Sequence, residues 1–129
     1  MIYLDTSVFI AHLLAEDRRP PRELWSQSLT SSRLLEYEVW RRVHARSMGR
    51  RLGEVVHLLL ARLSMLDLER PVLARALEPL PLPVRTVDAI HLASADFLRG
   101  HGQEVTIATY DARMGKAARA MEFELYRLE

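Results

Sequence analysis

The chain opens with MIYLDTSVFI, residues 1–10, in which an apolar run ends on an acid. Residues 1–4 are typical of a short buried strand, and the apolar residues after Ser7 predict a helix. Asp5 lies between the two. It is either the N-cap of that helix or one member of an acidic cluster built from distant parts of the chain. Its position alone leaves both interpretations open.

The composition limits the class of protein. The 129 residues predict one domain over 1–129, and 49% of them are hydrophobic, as in ordinary globular proteins. There is no cysteine, which excludes disulfides and thiolate metal sites. No signal-peptide pattern and no membrane-spanning run are found, so we expect a cytoplasmic protein with no membrane partner. Lys116 is the only lysine among 18 basic residues, so arginine would make most contacts with phosphate.

Short apolar segments alternate with helical patterns along the whole chain. Strands are expected over 1–4, 29–31, 104–109 and 123–128. Helices are expected over 7–15, 21–28, 32–49, 52–66, 70–77, 86–100 and 112–121. Thr86 and Asp111 are the expected N-caps of the last two helices. This order of elements predicts an α/β fold with a mainly parallel sheet.

Three aspartates occupy similar places in this pattern. Asp5 and Asp111 each follow a strand and precede a helix, at the strand ends where parallel sheets bind ligands. Asp88 lies in the first turn of its helix, where Thr86 is already available as a cap. Carboxylates gathered at one point repel one another unless a hard cation lies between them, and Mg²⁺ or Mn²⁺ suits an all-oxygen site. Such a site is typical of phosphodiester chemistry.

A fourth acid is expected from the helix after Ser32, which offers Glu36 and Glu38. Helical periodicity places these two glutamates on different faces and leaves the choice between them open. His91 lies three residues after Asp88 on the same helical face. It would either orient that carboxylate or pack in the core.

Four segments carry a family resemblance: YLDTSVFI (3–10), SSRLLEYEVWRR (31–42), VRTVDAIHLASA (84–95) and ATYDARMGKAA (108–118). In this order, and over almost the whole chain, they resemble the PIN-domain ribonucleases. More narrowly, they are similar to the VapC toxins of bacterial toxin–antitoxin pairs. The resemblance implies a PIN-like three-layer fold, in which a central sheet of four or five short strands is flanked by helices.

The resemblance also implies a site. The family's acidic quartet falls on Asp5, Glu38, Asp88 and Asp111. Glu38 is chosen over Glu36 because the family's helix follows the pattern S-x-L-x-x-x-E-x-x-R, which is matched by Ser32, Leu34, Glu38 and Arg41. The residues expected to support or line a metal site are Thr6, Ser7, His91 and Thr109.

The activity implied is endonucleolytic cleavage of RNA with Mg²⁺ or Mn²⁺ as cofactor. Arg41, Arg42 and Arg46 are the candidates to contact the RNA backbone. The implied partners are an RNA substrate, a VapB-type antitoxin and a second copy of the chain in a homodimer. One departure from the family is AMEFEL, residues 120–125, where a glycine is common.

Other functional classes fit less well. A phosphoacceptor receiver domain needs a lysine near the acids, but Lys116 lies well inside a helix. A haloacid-dehalogenase-like phosphatase needs a second aspartate two positions after Asp5, where Ser7 stands. The remaining alternative is a non-catalytic RNA- or antitoxin-binding PIN-like module, although a decayed site would be expected to lack one of the four acids.

Overall fold

A computed structural model describes all 129 residues. The strands are β1 (Ile2–Leu4), β2 (Leu29–Ser32), β3 (Ser64–Leu66), β4 (Thr106–Ala108) and β5 (Glu124–Leu125). The helices are α1 (Thr6–Leu13), α2 (Arg33–Ala45), α3 (Gly49–Leu60), α4 (Arg70–Leu77), α5 (Thr86–Gly100) and α6 (Ala112–Ala120), with a 3-10 turn at Arg22–Ser26. None of the helices combines the length and apolarity needed to cross a membrane.

The five strands form one sheet in the order β3-β2-β1-β4-β5, and every neighbouring pair is parallel. The chain first builds outward from β1 to β2 and β3, and then returns to place β4 on the other side of β1. This reversal makes the gap between β1 and β4 the topological switch point, where open α/β sheets bind ligands. The register pairs Tyr3 with Ile107 and Leu4 with Ala108, so the loops after β1 and β4 begin side by side.

Alternation along the strands divides the core into two layers. Ile2 and Leu4 pack against buried residues of α1, α2 and α3. Tyr3 and Ile107 face the other way and pack against buried residues of α5 and α6. Helices therefore cover both faces of the sheet, as all-parallel sheets require. The predicted α/β fold with three layers and a parallel sheet is confirmed.

The prediction of a helix over 52–66 is wrong at its end. Helix α3 stops at Leu60, and Ser64–Leu66 is a strand that pairs with β2. The Thr30 side chain donates a hydrogen bond to the Ser64 carbonyl at 2.8 Å. This pairing joins segments far apart in the chain, so local helical periodicity could not reveal it.

Several other boundaries differ from the predictions. The helix predicted over 21–28 is only the 3-10 turn, and the strand predicted over 123–128 is reduced to β5. The helix predicted over 32–49 ends at Ala45, because Ser47 has a left-handed backbone (φ 54°), and Gly49 begins α3 instead. Arg85, not Thr86, occupies the N-cap position of α5. Asp111 caps α6 as predicted.

Candidate functional site: an acidic cavity at the switch point

A cavity of about 670 Å³ opens at the carboxyl ends of the strands. Four acids predicted from the sequence line it together: Asp5, Glu38, Asp88 and Asp111. We call this space the acidic cavity. Glu36, the other candidate on α2, is turned away from it and forms an ion pair with Arg33 at 3.4 Å.

Asp5 follows β1 and is 5% exposed. It occupies the N-cap position of α1, but its side chain accepts no hydrogen bond from the helix backbone. Instead its Oδ2 accepts hydrogen bonds from the hydroxyls of Ser7 and Thr109, both at 2.7 Å. The N-cap interpretation is therefore wrong for this side chain. Its two hydroxyl donors fix the carboxylate at the gap between β1 and β4.

Glu38 reaches the cavity from the second turn of α2. Its Oε1 accepts a hydrogen bond from the Thr6 hydroxyl at 2.7 Å and lies 2.8 Å from Nε2 of His91. The other ring nitrogen of His91, Nδ1, lies 2.7 Å from the Tyr3 hydroxyl. The chain Tyr3–His91–Glu38 thus connects the central strand, α5 and α2. Because His91 is fully buried, this connection fixes the orientation of the Glu38 carboxylate.

Of the two roles expected for His91, the structure supports packing in the core, since the ring is fully buried and its polar partners do not include Asp88. Its ring nitrogens lie within hydrogen-bond distance of Tyr3, Glu38 and the Thr6 hydroxyl, and Oδ1 of Asp5 lies 3.9 Å from its Nε2. Burial alone would lower the pKa of His91, but Tyr3 and the carboxylates of Glu38 and Asp5 outweigh burial and raise the pKa to about 10. The positive charge of His91 lowers the pKa of Asp88, although burial and the neighbouring aspartates raise it by more.

Asp88 and Asp111 supply the other side of the cavity. The Oδ1 of Asp111 accepts hydrogen bonds from the backbone N–H groups of Arg113 and Met114, at 2.8 and 3.2 Å. Burial raises the pKa of Asp88, and the negative charges of Asp111 and Asp5 raise it further. The three aspartates are therefore close enough to repel one another. None of the four acids forms an ion pair with lysine or arginine.

Of the three arginines predicted to contact RNA, only Arg42 lines the acidic cavity. Arg41 lines a shallower groove on α2 beside Glu38, and Arg46 lines neither space. Sequence reasoning missed Arg18 and Arg85, which also line the cavity, because both lie outside the helices and strands. It missed Tyr3 as well, although a residue two positions before Asp5 on a strand points to the same side.

The chemistry of the cavity fits a hard divalent cation, since its charged donors are carboxylate oxygens and acids outnumber the arginines Arg18, Arg42 and Arg85. The distances between the acids, however, are not those of a formed metal site. No three carboxylate or imidazole side chains lie close enough together to hold one ion. A cation bound between the acids would neutralise the repulsion among them.

Comparison with known proteins identifies the family. The model of the PIN domain family matches residues 2–120. Ribonuclease VapC46 of Mycobacterium tuberculosis (strain ATCC 25618 / H37Rv) is 34% identical over 129 residues, which cover 93% of this chain and 92% of the relative. Ribonuclease VapC47 of M. tuberculosis (strain CDC 1551 / Oshkosh) is 32% identical over 131 residues, which cover 95% of this chain and 93% of the relative.

Two solved structures share the fold. VapBC2 from Rickettsia felis, bound to a DNA fragment from its promoter, matches with a TM-score of 0.73 and 16% identity, covering 100% of both chains. VapBC-1 from nontypeable Haemophilus influenzae matches with a TM-score of 0.72 and 18% identity, covering 99% of this chain and 98% of that one. At these sequence identities, the two structures show only that the fold is shared. The family match and the two sequence relatives together show that this chain belongs to the PIN domain family.

Proposed function

We propose that this protein is a divalent-metal-dependent endoribonuclease and the toxin of a VapBC-type toxin–antitoxin pair. One observation carries the proposal. Four acids from separate segments line one cavity at the switch point of the sheet, and none is neutralised by lysine or arginine. Asp5 and Glu38 share the single cation His91, and Asp88 and Asp111 form no ion pair. Buried or partly buried carboxylates with too few cationic partners are costly unless they serve a ligand. The names of the relatives, both ribonucleases, supply the substrate class.

In this proposal Asp5, Glu38, Asp88 and Asp111 hold Mg²⁺ or Mn²⁺. When bound, the cation makes water a better nucleophile and neutralises charge on the phosphoryl group. The protein orients two of these carboxylates by hydrogen bonds. Ser7 and Thr109 orient Asp5, and Thr6 and His91 orient Glu38.

Arg42 and the other cavity arginines, Arg18 and Arg85, contribute positive charge to receive the RNA backbone. Arg41 and Arg46 remain candidates further along α2. Each phosphate that such a cation neutralises adds affinity that falls as the salt concentration rises.

We place the endoribonuclease activity in the cytoplasm, with no membrane partner.

The partners in this proposal are an RNA substrate, a VapB-type antitoxin and a second copy of the chain. The two solved relatives are VapBC assemblies by name. Val55 and Leu58 on α3 are 44% and 71% exposed, and Leu77 on α4 is 88% exposed. Apolar side chains left open in this way are available for protein contacts. By contrast Val56 and Leu60 of α3 are buried in the core.

The test is a cleavage assay with purified protein on single-stranded and structured RNA. Cleavage is expected with Mg²⁺ or Mn²⁺ and is expected to stop in EDTA and in Asp88→Asn. Full activity in EDTA would remove the metal mechanism. RNA binding without cleavage, under every metal condition, would instead support the alternative of a non-catalytic RNA-binding module.

A further inference from the structure

We propose that a basic groove beside the acidic cavity holds the RNA strand where the strand leaves the cavity. The basic groove consists of Arg85, Arg113, Lys116 and Arg119. The proposal rests on the proposed function in one respect only, namely that the bound polymer is RNA. It extends that function by assigning a path across α6, a helix for which the sequence predicted no contact with RNA.

The basic groove adjoins the acidic cavity and shares lining residues with it. A hollow of about 550 Å³ is lined by Arg85, Asp88, Arg113 and Lys116, together with Leu82, Pro83 and Val84. A second hollow, of about 440 Å³, contains Arg113 and Lys116 again, with Asp111 at one end and Arg119 at the other. Each hollow thus includes one acid of the cavity. A polymer lying over Asp88 and Asp111 would leave the cavity along these cations.

The three cations on α6 form a stripe. Arg113, Lys116 and Arg119 follow one another at intervals of three residues, and all three are exposed. At about 1.5 Å per residue the stripe is roughly 9 Å long. The opposite side of the helix, with Met114 and Ala118, is buried in the core. The helix therefore cannot turn these cations away from solvent without giving up its packing.

The cations of the basic groove are free to bind an external anion. None of Arg85, Arg113, Lys116 or Arg119 forms an ion pair within the protein. Arg75, by contrast, forms an ion pair with Asp96 at 2.7 Å. Unpaired guanidinium groups present forked donors that match phosphate oxygens.

A nucleic-acid strand explains this arrangement better than an acidic protein segment does. The acidic cavity repels any polyanion, so a strand that must cross it needs cations beyond it to hold its neighbouring phosphates. Arg42 lines the cavity from α2, in the helix layer on the other face of the sheet. The basic groove supplies the matching cations from the α6 layer. A phosphodiester chain carries charge at regular intervals and can be held at both ends of the cavity.

The experiment measures RNA binding apart from cleavage. Fluorescence anisotropy follows a labelled single-stranded RNA of mixed sequence, in EDTA and with Asp88→Asn as the background, over a range of salt concentrations. The test variant adds Arg113→Ala and Lys116→Ala. The control variant adds Arg50→Ala and Arg51→Ala instead, which removes the same charge from exposed positions on α3 that line none of the spaces described above.

The test variant is expected to bind RNA roughly 20-fold more weakly at about 0.1 M salt, because each lost contact lowers the slope of log K against log salt by about 0.7. Its slope would therefore fall by about 1.4. The control variant is expected to keep the slope of its background. Circular dichroism spectra that match the background for both variants verify that α3 and α6 are intact.

Three results would overturn the inference: an unchanged slope in the test variant, an equal loss in the control, or competition by a polyglutamate peptide as strong as competition by unlabelled RNA. The outcome is separable from the proposed function. If the wild-type protein does not cut RNA but the slope falls as expected, the endonuclease proposal fails and the basic groove stands. If the protein cuts RNA and the slope is unchanged, only the basic groove fails.

Discussion

Asp88 and Asp96 lie eight residues apart on α5, and both are partly buried, yet only Asp96 forms ion pairs with arginine. Asp96 accepts hydrogen bonds from Arg75 and Arg99, each at 2.7 Å. Asp88 has no such partner and faces Asp5 and Asp111 instead. The chain thus supplies guanidinium groups where a carboxylate joins α4 to α5.

The pKa values of the two aspartates express this difference. Burial, together with the charges of Asp111 and Asp5, raises the pKa of Asp88. Burial would also raise the pKa of Asp96, but Arg75 and Arg99 outweigh it and hold the pKa below its usual value. A partly buried carboxylate left without a cationic partner, on the same helix as the paired Asp96, indicates a ligand from outside.

The largest expected difference is between the cleavage rates of two single variants, Asp88→Asn and Asp96→Asn. Asp88→Asn is expected to lower the rate of RNA cleavage by at least about 100-fold, the size expected when a group acting directly on the reaction is lost. Its stability should equal or exceed that of the wild type, because repulsion is relieved. Asp96→Asn should leave cleavage within about twofold of wild type at a temperature where it is folded.

Cleavage kinetics and chemical denaturation of the same two proteins measure both effects. If Asp88→Asn unfolds more easily than Asp96→Asn, or Asp96→Asn is the slower enzyme, then the contrast between the two ends of α5 is wrong.

The two glutamates of α2 provide a second matched pair. Glu38→Gln is expected to slow cleavage by about 10- to 100-fold, because it removes a charge held in the cavity by Thr6 and His91. Glu36→Gln loses only an exposed ion pair with Arg33 and should change the rate by less than about twofold. Single-turnover kinetics at identical metal concentrations measure the cleavage rates of the two variants. The reverse order of effects would move the fourth acid to Glu36.

The ion pairs of Asp96 with Arg75 and Arg99 should make the stability of the protein depend on pH. Its folded pKa is depressed, so Asp96 contributes stability that is present above its unfolded pKa of about 3.9 and is lost as pH falls through the folded value. Asp96→Asn is therefore expected to cost about 1–2 kcal/mol of unfolding free energy at neutral pH.

Urea denaturation of both proteins between neutral pH and about pH 3 measures this difference. The gap between wild type and Asp96→Asn should narrow below about pH 4. A gap that stays constant, or that widens in acid, would show that the two arginines do not stabilise the ionised carboxylate.

The smallest effect is expected at Tyr3. Tyr3→Phe removes the hydroxyl that lies 2.7 Å from Nδ1 of His91 and leaves the ring in place. The loss of one buried hydrogen bond, about 1 kcal/mol, corresponds to a two- to fivefold slower cleavage through a less well oriented Glu38. Weaker Mn²⁺ binding by calorimetry should accompany it. Normal kinetics and normal Mn²⁺ affinity would show that Glu38 holds its position without Tyr3.

Sequence reasoning located much of this site because its geometry is local. Asp5 directly follows β1 and Asp111 lies three residues after the end of β4, so a parallel sheet brings both to the same edge. The choice between Glu38 and Glu36 is different. Periodicity cannot make this choice, because it depends on how α2 rotates against the sheet, which is set by packing with α1 and α3. The family resemblance, through the pattern shared by Ser32, Leu34, Glu38 and Arg41, is what selected Glu38.

The missed features are those that depend on partners distant in the chain. Strand β3 exists because β2 offers it hydrogen bonds, although its own sequence resembles the end of a helix. The hydroxyl of Tyr3 gains its role only because α5 brings His91 above the sheet. Arg85 reaches the cavity from a position just outside a helix, where periodicity carries no information.

Anomalous diffraction from crystals soaked in Mn²⁺ tests most directly whether the acidic cavity is a cation site. We expect a peak in the cavity within bonding distance of carboxylate oxygens that include those of Asp5 and Asp88, with these two side chains closer together than in the structure described above. The peak should be absent from Asp88→Asn crystals. A cavity without any peak at saturating Mn²⁺, in a protein that cuts RNA under the same conditions, would contradict the assignment.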